Sequence, residues 1–383
     1  MPSILYLLCG VNFVIGTGAF VIGGILGPIA QALGTTVPAA GQAMTAYALA
    51  TALLAPLVLL ASGRLPRKQV LLGALVLFTA GNAVCALAES LPVLLAGRVL
   101  MGVGAVFTAV AAGIAVALVP PARRGKALAL TFLGISLSYV AGLPVGAWLG
   151  LTYGWHAPIW AVTALSVLAL AAVALWVPAG ITSPGASMKG LRALVTSPPV
   201  RWTLLLTWLY FTAIFSVFAY IGPVLLALVP MAGPQLSLTL MLFGLAGVAG
   251  TLSGGWANDR FGPGRTLTAQ LTVLAAMMLL VPLTVGRYPA LVAVFVVWGI
   301  AGFGMMAPQQ SRLAALAPAQ APMLLSLNTS MLYLGTAGGA AVGGVAASRI
   351  GLSELAWAGF PFALAGLAAL WLSMPKRAKM RPA

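Results

Sequence analysis

The chain has 383 residues, 62% hydrophobic and only 6% charged, and its 19 Lys and Arg against three acids give a net charge of +16. A soluble domain carries about 25% charged residues, so a water-facing surface is excluded for most of this chain, and one membrane bundle replaces the two or three soluble domains its length would hold. Nucleic acid is excluded as a partner too: the basic residues sit in short clusters between long apolar runs, the pattern of loops held on the cytoplasmic side of a lipid bilayer.

A hydrocarbon core about 30 Å thick takes about 20 residues of apolar helix. Cutting the chain at charges and Pro/Gly clusters predicts spans over 4–32, 38–61, 69–88, 91–118, 127–150 and 157–177, then 202–229, 236–257, 266–285, 289–308, 323–347 and 355–374. No Lys or Arg precedes Arg64. The first run therefore lacks the charged start of a signal peptide, is too long for one, and reads as a retained span. With both termini cytoplasmic, sixteen basic residues fall on the inner side, among them Arg64, Arg67, Lys68, Arg123, Arg124, Lys126, Lys189, Arg192, Arg201, Arg260, Arg265 and Arg312. Arg287 and Arg349 fall outside, and Arg98 falls within a span. That asymmetry orients the bundle.

The polar stretch from Pro178 to Arg201 divides the chain nearly in the middle. It predicts two six-span halves, residues 1–180 and 202–383, joined by a cytoplasmic linker over 181–201. The halves echo each other, since Arg64 and Arg260, and Gly142 and Gly338, share one offset of 196 positions. A shared offset argues for a duplicated unit. Paired halves with a site between them near the midplane are a transporter architecture.

In chain order, the first basic turn is Ser62-Gly63-Arg64-Leu65-Pro66-Arg67-Lys68. Span four then opens Leu94-Leu95-Ala96-Gly97-Arg98-Val99-Leu100-Met101-Gly102-Val103-Gly104, placing Arg98 about 9 Å beyond Pro92 at 1.5 Å per residue. An intramembrane cation costs several kcal/mol unless paired or hydrated, which marks Arg98 as a functional candidate. The alternative is a side chain snorkelling to the outer interface with Glu89 as its partner. Gly102 and Gly104 give the same span a small-residue face for close helix approach. Span five carries Gly142-Leu143-Pro144-Val145-Gly146, where Pro144 removes a backbone bond and allows a bend. His156, the single histidine, reads as an interfacial cap at the outer end of that span rather than a proton carrier.

After span eight comes Gly254-Gly255-Trp256-Ala257-Asn258-Asp259-Arg260-Phe261-Gly262-Pro263-Gly264-Arg265. A carboxylate at a helix end beside guanidiniums suits charge-assisted bonds across the bundle face. Asn12, Tyr47, Gln309, Gln310 and Asn328 are polar residues in or at the ends of spans. With Phe211, Phe215, Tyr220, Trp298 and Phe303 they suit an amphipathic cavity for a moderately hydrophobic solute, since pockets are mostly apolar with a few placed polar groups. Cys9 and Cys85 lie in apolar runs and suggest neither disulfides nor a metal site. No cofactor is expected. One histidine and three loop-placed acids supply no catalytic constellation, and no ring of polar groups marks a channel.

These motifs resemble the major facilitator superfamily, in its drug and sugar efflux branch, across nearly the whole chain. The loop Gly255 to Arg265 is similar to the family's signature of Gly, Asp-Arg-x-Gly and basic residues; Arg98 with Gly102 and Gly104 resembles its intramembrane arginine motif; Gly142, Pro144 and Gly146 resemble a shortened antiporter motif. The resemblance implies an all-α fold of twelve transmembrane helices in two pseudo-symmetric halves. It also implies a monomer in the inner membrane that exports sugars, drugs or small metabolites by alternating access. It implies that Asp259 and Arg260 latch one conformation and that Arg98 serves substrate or coupling.

The sequence departs from that pattern twice. Gly63 and Pro66 replace the acid and the glycine expected in the first basic turn. Gly16-Thr17-Gly18-Ala19-Phe20 stands where the branch commonly places acids in span one. Proton coupling is thereby left open between a less usual carrier such as Glu89 beside Arg98, protons carried by the substrate itself, and an uncoupled facilitator. A non-transporting sensor of the same fold is the remaining alternative.

Overall fold

The computed structural model describes residues 2–62, 65–120, 123–180 and 196–374. Arg64, Lys189 and Arg192 lie outside them, as does most of the linker expected over 181–201. Twelve helices among the described residues are long and apolar enough to cross a membrane. They are α1 Ser3–Ala32, α2 Val37–Val58, α3 Arg67–Ala86, α4 Leu91–Ala117, α5 Arg124–Tyr153 and α6 His156–Trp176, then α7 Pro198–Phe218, α8 Gly233–Phe261, α9 Pro263–Thr284, α10 Tyr288–Leu316, α11 Met323–Ile350 and α12 Leu355–Ser373. Proline opens many of them: α4, α7, α8, α9 and α10 each carry one at the first or second helical position, where its missing N–H and fixed φ cost nothing. Arg67, Lys68, Arg123, Arg124, Lys126, Arg201, Arg260, Arg265 and Arg312 gather at one end of the bundle, here called the basic end.

Prolines also place most of the breaks. A proline ring clashes with the carbonyl four residues earlier and removes one hydrogen bond. Accordingly α1 leaves helical geometry at Ile25 (φ −123°, ψ 17°), just before Pro28. In α5 a wider π turn, Ser138–Gly142, precedes Pro144. Helix α7 stops at Phe218 and resumes as Ile221–Leu228, with Pro223 four residues past Ala219. Helix α10 turns at Gly304, four residues before Pro308. The interruption of α4 at Ala105 has no such proline; Gly102 and Gly104 precede it.

Inside each half, glycines spaced four apart let neighbouring helices touch. Side chains added at Gly142, Gly146 and Gly150 of α5 would run into Thr17, Val21 and Ile25 of α1. In the other half, Gly335, Gly339 and Gly343 of α11 meet Phe211, Phe215 and Ser216 of α7 in the same manner. Gly102 faces the Tyr47 carbonyl of α2, and Gly104 faces Ala74 and Phe78 of α3, so α4 is wedged between two helices. Such close approach gives the dispersion contacts that hold helices together where lipid removes the hydrophobic drive.

The halves meet where α2 packs along α11 and where α5 packs along α8, and the glycines at these contacts lie from mid-depth to the end opposite the basic one. Gly24 and Gly222 oppose each other, with room of only 2.5 Å between a Cβ on Gly222 and the Gly24 carbonyl oxygen. Gly41 abuts the ring of Tyr220, and Gly244 of α8 lies on the backbone of Tyr139 and Val140 in α5. A Cβ on Gly233 would stand 3.7 Å from Cβ of Leu151. Helices α5 and α8 pack closely over Leu143–Tyr153 and barely over Arg124–Leu137.

Four expectations need correcting. The seventh span is not one helix over 202–229 but two segments. The predicted loop from Gly254 to Arg265 is mostly helix: α8 runs to Phe261, and the chain turns on Gly262 alone, whose φ of 81° suits glycine. Arg312 is no loop residue, because α10 extends to Leu316, and its Nη2 donates to Ser373 Oγ at 2.5 Å. The fourth concerns the partners of Arg98 and Asp259.

Candidate functional site at the junction of the halves

Arg98 is fully buried between α1, α2 and α4. Its Nη1 and Nη2 donate to the carbonyls of Gly18 and Ala19, each at 2.7 Å, and its Nε donates to Ala43 O at 3.1 Å. The Tyr47 ring covers one face of the guanidinium, 4.7 Å from Cζ, and cation–π attraction strengthens when both partners are desolvated. A Cβ on Gly18 would run into Phe78 of α3 and Val162 of α6, so the glycine keeps this stretch of α1 close to its neighbours. Glu89 is exposed and takes no part: the fork is filled by main-chain oxygens, which rules out the snorkelling geometry. Hydrogen bonds to charged groups contribute about 1.5–3 kcal/mol each, so three of them offset much of the cost of burying this cation.

Neutral groups tie each half near its basic end. Asn12 of α1 donates through Nδ2 to Thr131 O at 2.9 Å and accepts from Thr108 Oγ1 at 2.9 Å, joining α1, α4 and α5. In the other half, Gln309 Nε2 donates to Thr203 O at 2.6 Å and Thr207 Oγ1 at 2.8 Å, and Thr207 Oγ1 donates to Asn328 Oδ1 at 2.5 Å. That joins α7, α10 and α11, the counterparts of α1, α4 and α5. Gln310, its neighbour in sequence, is exposed. Asn12, Gln309 and Asn328 are thus brought into two clusters, one per half. The four threonines that complete them were not anticipated; their spacing from the amides in sequence exceeds any local pattern.

Between the halves lies a continuous set of rings. Phe20 of α1 stacks on Tyr139 of α5 at 4.7 Å, and these two meet Phe215, Phe218 and Phe303 of the other half at 4.9–6.2 Å. Phe243 of α8 continues the chain to Phe218 at 5.7 Å, Phe303 at 5.9 Å and Trp298 at 5.1 Å. Phe211 stacks on Phe215 at 6.0 Å. Of the expected cavity residues, Phe211, Phe215, Trp298 and Phe303 join this set. Tyr220 instead wedges into the far end, donating to Ala340 O at 2.8 Å. Phe20, Tyr139, Phe218 and Phe243 complete the set and were missed. Phe215 and Phe218 are three apart on one helix face, a signal that was present.

At the basic end, Asp259 is exposed and accepts from Asn258 Nδ2 at 3.1 Å, while Arg260 lies over the Phe261 ring at 5.8 Å. Among the described residues no guanidinium bonds the carboxylate, so the expected charge latch is not formed between them. Gly255 is half-buried in α8, and Arg265 is exposed near the start of α9. Arg67 begins α3 and is buried, with Lys68 half-buried beside it.

The profile of the Major Facilitator Superfamily matches residues 8–311 and 231–383. The chain is 33% identical to a chloramphenicol resistance protein of Streptomyces lividans, over 88% of each chain. It is 31% identical to the inner membrane transport protein YdhP of Escherichia coli K12, over 95% of this chain and 94% of that one. Among solved structures, a bacterial homologue of the human lysosomal transporter Spinster superposes with TM-score 0.79 at 17% identity, covering 97% of this chain and 96% of the other. The human organic anion transporter MFSD10 gives 0.71, also at 17% identity, over 98% and 100%.

Proposed function

This chain belongs to the major facilitator superfamily, and from that premise we propose that it exports a small, moderately hydrophobic solute across the inner membrane by alternating access. The observation that carries the reading is the seam between the halves. Where α5 meets α8 it is built of glycines and rings, lies from mid-depth to one end, and leaves these two helices barely in contact at the basic end. Packed interfaces of this kind have discrete arrangements rather than a continuum. With the basic end cytoplasmic, as the placement of Lys and Arg supports, this arrangement opens toward the cytoplasm. The similarity to a chloramphenicol resistance protein supports export and a drug-like solute.

The seam supplies the test. Cβ atoms of disulfide-bonded cysteines stand about 3.5–4.5 Å apart, which matches Leu151 and Gly233 on opposite halves. In a background with Cys9 and Cys85 replaced, oxidising the pair Leu151→Cys/Gly233→Cys should stop efflux of chloramphenicol from cells, and reduction should restore it. Undiminished efflux by the oxidised, cross-linked protein would sink alternating access at this seam.

A second reading, an uncoupled facilitator, is favoured by one observation. The three carboxylates of the sequence are all exposed, Glu89 and Glu354 in turns at the far end and Asp259 at the basic end. Proton antiport ordinarily uses a buried acid whose pKa is shifted toward neutrality. Solute-driven proton movement in proteoliposomes separates the two: its presence supports antiport, and its absence beside intact solute flux supports the facilitator.

A further inference from the structure

Resting on the export reading, we propose that Trp298 is the hydrogen-bond donor of the solute site, and that the solute is a neutral aromatic molecule bearing a carbonyl or nitro acceptor. Trp298 sits at mid-depth in α10 with 2% of its surface exposed, its ring between Phe243 at 5.1 Å and Phe295 at 5.3 Å. Its indole Nε1–H has no acceptor. Buried indole N–H groups normally find a partner, and one left unpaired costs free energy. An acceptor brought in by a solute recovers that cost.

The surroundings say when the acceptor can arrive. From Trp298 the rings run through Phe243 to Phe303 and Phe218, and from these to Tyr139 and Phe20 of the other half. The last step crosses the seam, so rocking of the halves pulls Tyr139 from Phe303 and Phe218 and opens a path toward the indole. Flat faces of Phe and Tyr then offer stacking to an aromatic solute. Trp155, the other buried indole with an unpaired N–H, sits at the turn between α5 and α6, outside these rings.

Charge narrows the class. No carboxylate lies along the rings to neutralise a cation. The one buried cation nearby, Arg98, has its fork taken up by the carbonyls of Gly18, Ala19 and Ala43 and its face by Tyr47. It offers an anion little, and its fixed charge disfavours a second cation in a low-dielectric interior. Neutral solutes remain.

Inverted membrane vesicles test this with three probes: chloramphenicol, which is neutral and carries nitro and amide acceptors; N-phenyl-1-naphthylamine, an aromatic without a strong acceptor; and ethidium, a cation. Trp298→Phe keeps an aromatic ring and removes the donor. It should raise the apparent KM for chloramphenicol about tenfold, as loss of one good hydrogen bond does, and leave maximal rate and N-phenyl-1-naphthylamine uptake unchanged. Trp155→Phe should change nothing. Equal losses for both neutral probes would assign Trp298 a packing role and overturn the proposal. Wild-type transport of chloramphenicol matched by Trp298→Phe would overturn it while leaving export standing. Wild-type uptake of ethidium alone would overturn the solute class, and a wild type that moves none of the three would overturn the export reading as well.

Discussion

In the N-terminal half a guanidinium, Arg98, draws α1, α2 and α4 together through three carbonyl oxygens. In the C-terminal half, α7, α10 and α11 are tied by Thr203, Thr207, Gln309 and Asn328, none of them charged. Position 98 plus the repeat offset of 196 gives Val294. Glycines spaced four apart pack helices in both halves, while this buried charge belongs to one. Main-chain carbonyls cannot be substituted away, so the charged pin depends on a single side chain. The neutral network spreads its helix tie over three side chains, Thr207, Gln309 and Asn328, and the main-chain carbonyl of Thr203, and each side-chain loss strands a group whose cost is about 1–3 kcal/mol.

The largest break in that comparison comes from Arg98→Ala. It should reduce transport to background while the protein still inserts, measured as efflux per unit of protein in the membrane. Arg98→Lys should rescue poorly, because one ammonium cannot reproduce a planar fork that reaches Gly18, Ala19 and Ala43 together. Near-normal efflux by the alanine variant would demote the pin to filler. Glycines sharpen the comparison next. A methyl at Gly142 runs into Thr17 Oγ1, whereas at Gly338 the nearest atom, Thr212 Oγ1, stands off at 3.3 Å. Gly142→Ala should therefore destabilise by about 1–3 kcal/mol through overpacking, and Gly338→Ala by less, read as a difference in melting temperature in detergent. Equal shifts would show that the halves pack more alike than their contacts indicate.

A smaller effect belongs to the neutral network. Thr207→Val removes a hydroxyl that both accepts from Gln309 and donates to Asn328, and should cost about 1–3 kcal/mol. Because the three side chains form one network, Thr207→Val and Asn328→Leu should be non-additive in a double-mutant cycle. Additive losses would mean the amides find other partners.

How much of this could be read from the sequence depends on the range of each interaction. Helices announce themselves through about 20 apolar residues in a row, and the twelve spans agree with their predicted positions to within a few residues at most ends. Breaks are legible too, since Pro28, Pro223 and Pro308 act about four residues upstream just as Pro144 does. The extension of α10 through Gln309 and Arg312 was hidden, because polar residues that satisfy each other inside a half look like a loop. Arg98 stood out as an intramembrane charge, but its acceptors are carbonyls of Gly18, Ala19 and Ala43, and carbonyls carry no sequence signal. Rings were half legible: Phe215 and Trp298 lie in predicted spans, while Phe20 and Tyr139 gain meaning only when the halves are brought face to face.

The smallest predicted effect tests the one acid near Arg98 in sequence. Glu89 lies two residues before α4 and is exposed, nine positions from Arg98. If it carried protons for coupling, it would have to reach the guanidinium or the rings between the halves. Arg98 leaves it little to bind, since Nε, Nη1 and Nη2 each already donate to a carbonyl and Tyr47 covers the face. An exposed carboxylate outside the packed interior makes no contact by which rocking of the halves acts on it, and a differential contact is the condition for coupling. Glu89→Gln should therefore leave solute transport within about twofold of wild type, since surface changes away from contacts shift stability by about 0.5 kcal/mol or less. It should also leave any solute-driven proton movement in proteoliposomes unchanged. Loss of proton movement with solute flux retained would return Glu89 to the coupling path. It would also mean that the far-end turn before α4 moves inward in the opposite arrangement of the halves.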